Sequence, residues 1–357
     1  MRYLIVLCAY DAVVVTWHSR CHLMFDTPAE ETMRNSYLVA SCVLAVAAVS
    51  TAHAQDAAVS YPAKPVIMVV PFAPGGGTEI EGRTFVAKLS ENLGRQFIMD
   101  FKPGAAMTIG MTHAARAAPD GYTLLFVSAN YPLVPLVAKD LPYDPVKAFA
   151  PVSLLSKRSA LMVVHPSLPV KNVKEYIALA KARPGEINFA TGGPGGIQHL
   201  TGAWLNSITR TKTTFIHYKA SGAMIPDLLA GRSHISPMSF PLGLPLVKSG
   251  KMRALGVASL ERSLLLPELP TFAEQGVPDF EYSTWLGVLA PAQTPVAIIN
   301  KLSAELIKIT KSPEVAQRLG DETRLIGSTP EQFRKHVAVE TERWRKVVQE
   351  AQIRFDE

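Results

Sequence analysis

The sequence predicts an α/β protein of two lobes that face each other across a cleft, and three observations carry that expectation. From Tyr61 onward, short β-rich apolar runs alternate with helical stretches, the pattern of a parallel or mixed sheet covered by helices. Two extended apolar runs, Lys157 to His165 and Tyr282 to Ala290, are each stopped by a proline and bracket a central block, so the chain leaves one lobe, builds a second and returns. Two glycine runs, Pro71 to Glu79 and Thr191 to His199, each join a strand to a helix. The 357 residues suffice for two domains of about 100–200 residues. The expected lobes are residues 55–162 with 283–357, and residues 163–282.

In chain order the expected strands are Val66 to Val70, Phe97 to Asp100, Thr123 to Val127, Leu161 to Val164 and Ile187 to Ala190. Thr214 to His217, His234 to Pro237, Ala254 to Ala258 and Thr284 to Ala290 follow. Expected helices run from Glu79 to Leu93, Met107 to Ala117, Val173 to Lys181 and His199 to Ser207. Four more cover Ser221 to Ala230, Pro295 to Ile309, Pro313 to Leu319 and Pro330 to Ala351. Asn172 or Lys171 opens one helix. Thr329-Pro330-Glu331-Gln332 gives the last one a cap, a first-turn proline and an acid where the helix dipole favours it. Gly94, Gly231 and Gly250 stand where a left-handed residue ends a helix or turn.

Before this region, Met33 to Ala54 reads as a secretory signal. Arg34 is the basic segment, Tyr37 to Ser50 the apolar one, and Ala52-His53-Ala54 the cleavage site, so the mature chain starts near Gln55. The apolar segment is shorter than the roughly 20 residues of a spanning helix. Met33 is read as the true start. Two other readings are a first membrane-associated segment over Met1 to Trp17 and a lipoprotein site at Val39-Ala40-Ser41-Cys42, which leaves too short an apolar segment after Met33. Cys8, Cys21 and Cys42 all precede Gln55, so the mature chain has no disulfide, thiol nucleophile or cysteine metal ligand.

The 36 Lys and Arg exceed the 30 Asp and Glu only slightly and are scattered, which argues against a nucleic-acid stripe or a membrane-binding face. A mild positive field suits an anionic ligand.

The two glycine runs supply the chemistry. Gly75, Gly76 and Gly77 let backbone approach a ligand, and free N–H groups at the following helix start form an anion site without any basic side chain. The same segment also reads as a plain strand-to-helix turn. Gly75-x-Gly77-x-x-Ile80 lacks the third glycine of a dinucleotide fingerprint, and no phosphate-loop Gly-Lys-Ser/Thr is present. The second run, Thr191-Gly192-Gly193-Pro194-Gly195-Gly196-Ile197-Gln198-His199, repeats the arrangement, and two such loops in two lobes could face each other across a cleft. Ser128, just past a strand, adds a hydroxyl or is a turn serine. His199 opens a helix beside the second loop, where neutral imidazole could bond a ligand. The remaining histidines lack metal-ligand spacing, and there is no Gly-x-Ser-x-Gly elbow, so enzyme chemistry finds no support. Tyr282 and Trp285 are read as an apolar cleft wall or as buried hinge residues. Lys219 is read as a solvated lysine or as a partner for an anionic ligand, and the C-terminal helix with Trp344 as packing on the first lobe.

Several segments, in order, carry a family resemblance: Tyr61-Pro62-x-Lys64-Pro65, Pro71-Phe72-x-Pro74-Gly75-Gly76, Ala118-Pro119-Asp120-Gly121-Tyr122-Thr123-Leu124-Leu125 and Leu141-Pro142-Tyr143-Asp144-Pro145-Val146-Lys147. Phe149-Ala150-Pro151-Val152, His217-Tyr218-Lys219 and, more loosely, Gly327-Ser328-Thr329-Pro330-Glu331 continue it. From Tyr61 to its end the chain resembles the tripartite tricarboxylate transporter substrate-binding proteins, the Bug (Bordetella uptake gene) receptors. The resemblance implies a two-lobed type II periplasmic-binding-protein-like fold with the ligand cleft between lobes. It also implies a periplasmic receptor that binds a small carboxylate, without catalysis or cofactor, and delivers it to a membrane permease or serves a sensor. A monomer is expected.

Carried over, the ligand-binding residues are Phe72, Ala73, Gly75, Gly76, Gly77 and Thr78 in the first loop, and Thr191, Gly192, Gly193, Gln198 and His199 in the second. Ser128, Glu79 and Met238 join them. Where the family commonly has Asp, Glu79 is expected to reach farther into the cleft. Pro237-Met238 replaces a frequent Phe-Asp, and Pro103-Gly104-Ala105-Ala106-Met107 adds bulk to a Pro-Gly-Ala-Gly-Gly run. Gln198 stands for Ser, and Tyr218-Lys219-Ala220-Ser221 for Tyr-Lys-Gly-Gly. These departures leave the ligand's identity open.

Overall fold

The computed structural model describes residues 59–353 except 76, 139, 140, 220 and 321. The expected signal segment and all three cysteines lie outside the described residues.

Val66–Val70 forms β1, buried along nearly its whole length because a parallel strand at the middle of a covered sheet has no solvent face. The chain then runs through α1 (Gly77–Leu93), β2 (Phe97–Phe101), α2 (Thr108–Ala115), β3 (Thr123–Ser128), the short α3 (Val134–Val137) and β4 (Phe149–Val164). It continues through α4 (Val173–Ala182), β5 (Asn188–Thr191), α5 (Ile197–Thr209), β6 (Thr214–His217), the short α6 (Ile225–Leu229), β7 (Ile235–Ser239), α7 (Phe240–Lys248) and β8 (Arg253–Val257). It closes with β9 (Ser283–Pro291), α8 (Val296–Thr310), α9 (Pro313–Leu319), β10 (Arg324–Leu325) and α10 (Pro330–Glu350).

The sheet is mixed, with strand order β2-β1-β3-β9-β4-β7-β5-β6; β8 and β10 both pair with β4. Beside β9 the first part of β4 belongs to the half built from β1, β2 and β3. Its last residues pair with β7 and β8 in the other half. The first half holds a core around Phe85, Leu89, Phe126 and Leu302, and the second holds one around Met224, Met238 and Met252.

Caps agree with the residues that announced them. Asn172 Oδ1 accepts from the Glu175 amide at 2.9 Å, and Thr329 with Gln332 forms a reciprocal capping box. Gly94, Gly231 and Gly250 all have positive φ (65°, 70° and 70°).

Four elements depart from expectation, and two of them, α3 and β10, are merely short ones that were not foreseen. The short strand expected at Leu161 to Val164 is the end of a 16-residue strand, whose earlier part was hidden by Pro151. That proline sits where the register with β9 shifts, a place that tolerates a missing N–H. Helix α7 was not foreseen because Pro241, Gly243 and Pro245 read as breakers. Pro241 occupies its first turn, where an amide has no helical partner, and Gly243 lets the helix lie against Met238 and Leu161. The C-terminal helix packs on β4 as expected of the first half, but it also reaches the second: Trp344 meets Trp204 of α5 edge to face at 6.2 Å.

Candidate functional site

A cavity of about 170 Å³ opens where the carboxyl ends of β1, β3 and β5 face one another. That is below the roughly 300–1,000 Å³ of pockets that take drug-sized molecules. The first loop contributes Phe72, Ala73 and Thr78, and the end of β3 contributes Ser128, Ala129 and Asn130. From the second loop come Gly192, Gly196, Ile197 and Gln198, and from β7 and α7 Met238, Ser239 and Leu242. Arg158 of β4 and Thr284 of β9, register partners, form the wall between the halves with Tyr282.

Seven of the expected residues therefore line one cavity: Phe72, Ala73, Thr78, Ser128, Gly192, Gln198 and Met238. Gly76 lies outside the described residues. The others sit behind the lining. Gly75 adopts φ 91°, open to glycine and strained for other residues, and starts the turn into α1. Gly77 is the first residue of α1.

Glu79 does not reach into the cleft. Its Oε2 accepts from the Gly75 amide at 2.6 Å, and Oε1 accepts from Arg83 Nε at 2.8 Å, so the carboxylate folds back to brace its own loop. These donors hold it below the ordinary carboxylate value of 4.5, the Gly75 amide first and Arg83 after it. Stability from this bond is present above 4.5 and lost as pH falls below it. A charge-assisted bond of about 1.5 kcal/mol protects amides roughly tenfold. Protection factors of the amides between Phe72 and Glu79 are therefore expected to fall about tenfold in Glu79→Ala at pH 7, and in the wild type only in acid.

Thr191 and His199 of the second run act as braces. Thr191 Oγ1 bonds His217 Nδ1 at 2.6 Å. His199 Nδ1 accepts from the Gly195 amide at 3.1 Å, with its ring edge-on to Phe215 and His217. Burial, and after it the neighbouring His217, push His199 down to about 4, so it is neutral. Gly193 sits at φ 141° inside the loop. Gln198 lines the cavity and also ties the loop down, accepting from the Gly192 amide at 2.7 Å and donating to the Pro237 carbonyl at 2.8 Å. What the loop offers a ligand is thus narrower than all its amides. The amides of Gln198 and His199 lie in the first turn of α5, ahead of the Leu200-to-Gly196 bond, where a helix leaves its N–H groups without helical acceptors.

The two sides meet above the cavity. Asn130 Oδ1 accepts from the Ile197 amide at 2.7 Å, capping α5 from the end of β3. A Cβ on Gly222 would lie 3.3 Å from the Gly75 carbonyl oxygen.

Sequence reasoning missed Asn130 and Arg158; Lys219, read as solvated or as pairing with an anion, is exposed and lines the cavity. Asn130 follows Ser128 by two residues at a strand end, which could have flagged it. Arg158 stands in a polar stretch with Ser156, Lys157 and Ser159, and its partner Glu81 is 77 residues away. The Arg158 guanidinium donates to Glu81 Oε2, and the Ser156 hydroxyl to Oε1, with all three residues buried. Burial pulls Arg158 down to about 10, so it stays charged at neutral pH. No Asp or Glu is among the described lining residues, and Arg158 and Lys219 are both cationic. Trp285 does not line the cavity; it is buried against Phe333 and His336, while Tyr282 does line it. Among the described residues no three His, Cys, Asp or Glu side chains gather as metal ligands.

The family model described as the tripartite tricarboxylate transporter family receptor matches residues 82–353. Protein BugT of Bordetella pertussis (strain Tohama I) is 35% identical over 295 residues, covering 82% of this chain and 90% of BugT. Among solved structures, Rpa4515 of R. palustris with adipate has a TM-score of 0.78 at 32% identity, over 82% of this chain and 99% of that one. The periplasmic binding protein BugD gives 0.76 at 31% identity, over 82% and 99%. MatC (Rpa3494) from Rhodopseudomonas palustris with bound malate gives 0.75 at 29% identity, over 81% and 100%. With its two-lobed α/β fold and a cleft between the carboxyl ends of its strands, the chain belongs to the tripartite tricarboxylate transporter family receptors, which are solute-binding proteins.

Proposed function

We propose that this receptor captures a small carboxylate in the cavity between its two glycine loops and passes it unchanged to a membrane permease. The observation that carries the reading is the pair of helix starts, α1 and α5, on either side of a cavity whose described lining residues include Lys219 and no acid, the charge of Arg158 being met by Glu81. Adipate and malate, bound by two similar structures, belong to the same ligand class.

In this reading the first carboxylate lies against the opening amides of the two helices, with Thr78 and Ser128 offering hydroxyls and Phe72 and Met238 an apolar wall. Glu79, Thr191, Gly193 and His199 hold the loops in shape. Residues 55–162 with 283–357 form one lobe and 163–282 the other, closing on the ligand. The mature protein is a periplasmic monomer, released from its signal near Ala54.

Thermal-shift screening and calorimetry on the mature chain test this, with malate, adipate, citrate, aromatic acids and amino acids as probes. At a concentration of about 100 times Kd, a ligand adds about 2.7 kcal/mol of stability, so at least one acid raises Tm by several degrees and is recovered chemically intact. A flat response to every acid alongside a response to neutral solutes overturns the reading, and so does turnover of a bound acid.

A further inference from the structure

We propose that the Tyr282 hydroxyl, with those of Thr284 and Ser239 beside it, binds an oxygen group at the far end of the ligand and so selects oxygen-ended acids over acids with an apolar tail. The inference rests on the carboxylate-receptor reading above and adds to it a subsite on a second wall.

These residues share one face of the sheet where its halves join. Side chains alternate along a strand, and register partners share a face. Thr284 of β9 is the partner of Arg158 on β4, and Tyr282 precedes Thr284 by two residues. Ser239 of β7 is the partner of Ala160, two residues after Arg158. Tyr282, Thr284 and Ser239 all line the cavity. The opening turns of α1 and α5 reach the same cavity from the loops, so a carboxylate held there leaves the rest of the ligand to meet the sheet.

Tyr282 is 3% exposed, and its hydroxyl has no hydrogen-bond partner among the described residues. The Tyr176 hydroxyl also lacks one, but it is sealed in apolar packing, whereas that of Tyr282 is not sealed and belongs to a residue that lines the cavity. The Tyr282 amide donates to the Ala258 carbonyl at 3.0 Å, which fixes the backbone that carries the ring. Burial pushes the phenol above its ordinary value, so it stays a neutral donor. Thr284 and Ser239 have no described hydroxyl partner either. Arg158, on the same face, is already met by Glu81, so the open donors of this wall are the hydroxyls. A hydroxyl taken from water and left unpaired costs free energy, and buried polar groups as a rule have partners. A ligand that ends in a hydroxyl or a carboxylate supplies one. A ligand that ends in a methyl group does not, and a site built to bond an oxygen rejects the analogue that lacks it.

Calorimetry on the mature protein compares hexanoate with ω-hydroxyhexanoate and adipate, and butanoate with ω-hydroxybutanoate and succinate, each set differing only at the end away from the shared carboxylate. The wild type is expected to favour at least one oxygen-ended acid over its methyl-ended counterpart by about 10–100-fold, and the hydroxy and diacid arms tell which oxygen group the wall takes. Tyr282→Phe removes the hydroxyl and keeps the ring. It is expected to cut the preference by about fivefold or more, and Tyr282→Phe with Thr284→Val to bring it within about threefold, while the methyl-ended acid binds as before. Because the hydroxyl has no described partner in the protein, the urea midpoint of ligand-free Tyr282→Phe stays at the wild-type value. A wild type that binds the methyl-ended acids as tightly, a folded double variant with its preference intact, or a Tyr282→Phe variant that unfolds earlier without ligand overturns the inference and leaves the carboxylate reading standing. If no acid of either series binds the wild type, this inference fails, and the wider screen above decides the receptor reading.

Discussion

Glu81→Ala is expected to lower the unfolding free energy by about 3–5 kcal/mol, the cost of stranding a buried charge. Arg158 cannot rotate into water from its place between β9 and α1, and the Ser156 hydroxyl loses its acceptor in the same step. The cost belongs to the broken pair and not to the pair as such. Replacing both residues by methionine should therefore return stability to within about 1–2 kcal/mol of the wild type. Urea unfolding of the single and double variants measures the difference as a double-mutant cycle. A single variant that loses under 1 kcal/mol would mean that water reaches the pair.

Stability is expected to fall by a few kcal/mol between pH 6.5 and pH 4. His199 and His336 are each pushed down to about 4, chiefly by burial, and next by His217 for the first and Lys157 for the second. The native protein keeps both neutral until about pH 4, while the unfolded chain protonates them near 6.5. Between those values the unfolded state binds more protons. The stabilisation is therefore full above 6.5, declines as pH falls, and is gone below about 4. One pKa unit corresponds to about 1.4 kcal/mol, and solvent screening of the partly open rings brings each contribution to about 1–2 kcal/mol. His217 and His234, also lowered by burial, act in the same direction. The carboxylates held low, such as Glu79, add their loss only below about 4.5, so the upper part of the window belongs to histidine. His336→Phe should remove its share, because a phenyl ring can occupy the same place between Trp285 and Phe333. Urea midpoints at pH 7, 5.5 and 4 measure this. A flat profile would show that the imidazoles keep access to water.

The loops were legible because their chemistry is local: glycines, a strand before and a helix after are all visible within ten residues. What each side chain does inside the loop was not, since that depends on who else is present. Glu79 found an amide four residues back instead of the cleft. His199 found Gly195, and Thr191 found a histidine on the neighbouring strand. Arg158 was opaque for a different reason. An arginine beside Lys157 and Ser159 reads as a solvated strand end, and only the fold brings it the carboxylate of Glu81 on α1. The long strand and α7 were hidden by prolines at the few positions where a sheet or a helix tolerates them.

The place of β9 between β3 and β4 has a consequence for how the protein is made. Among the described residues β5 to β8 pair with one another and with Ala160 to Val164, a contiguous stretch, so that half of the sheet can form as soon as it emerges. The other half waits for Ser283–Pro291, which must slot between two strands synthesised long before it and pair with both. Until then β3 and β4 each present an unpaired edge, a template for joining the wrong chain. Such late, distant pairing is slow. A chain that stalls or is cut before Ser283 would therefore keep a nearly complete second half and two sticky edges, and its characteristic failure would be aggregation.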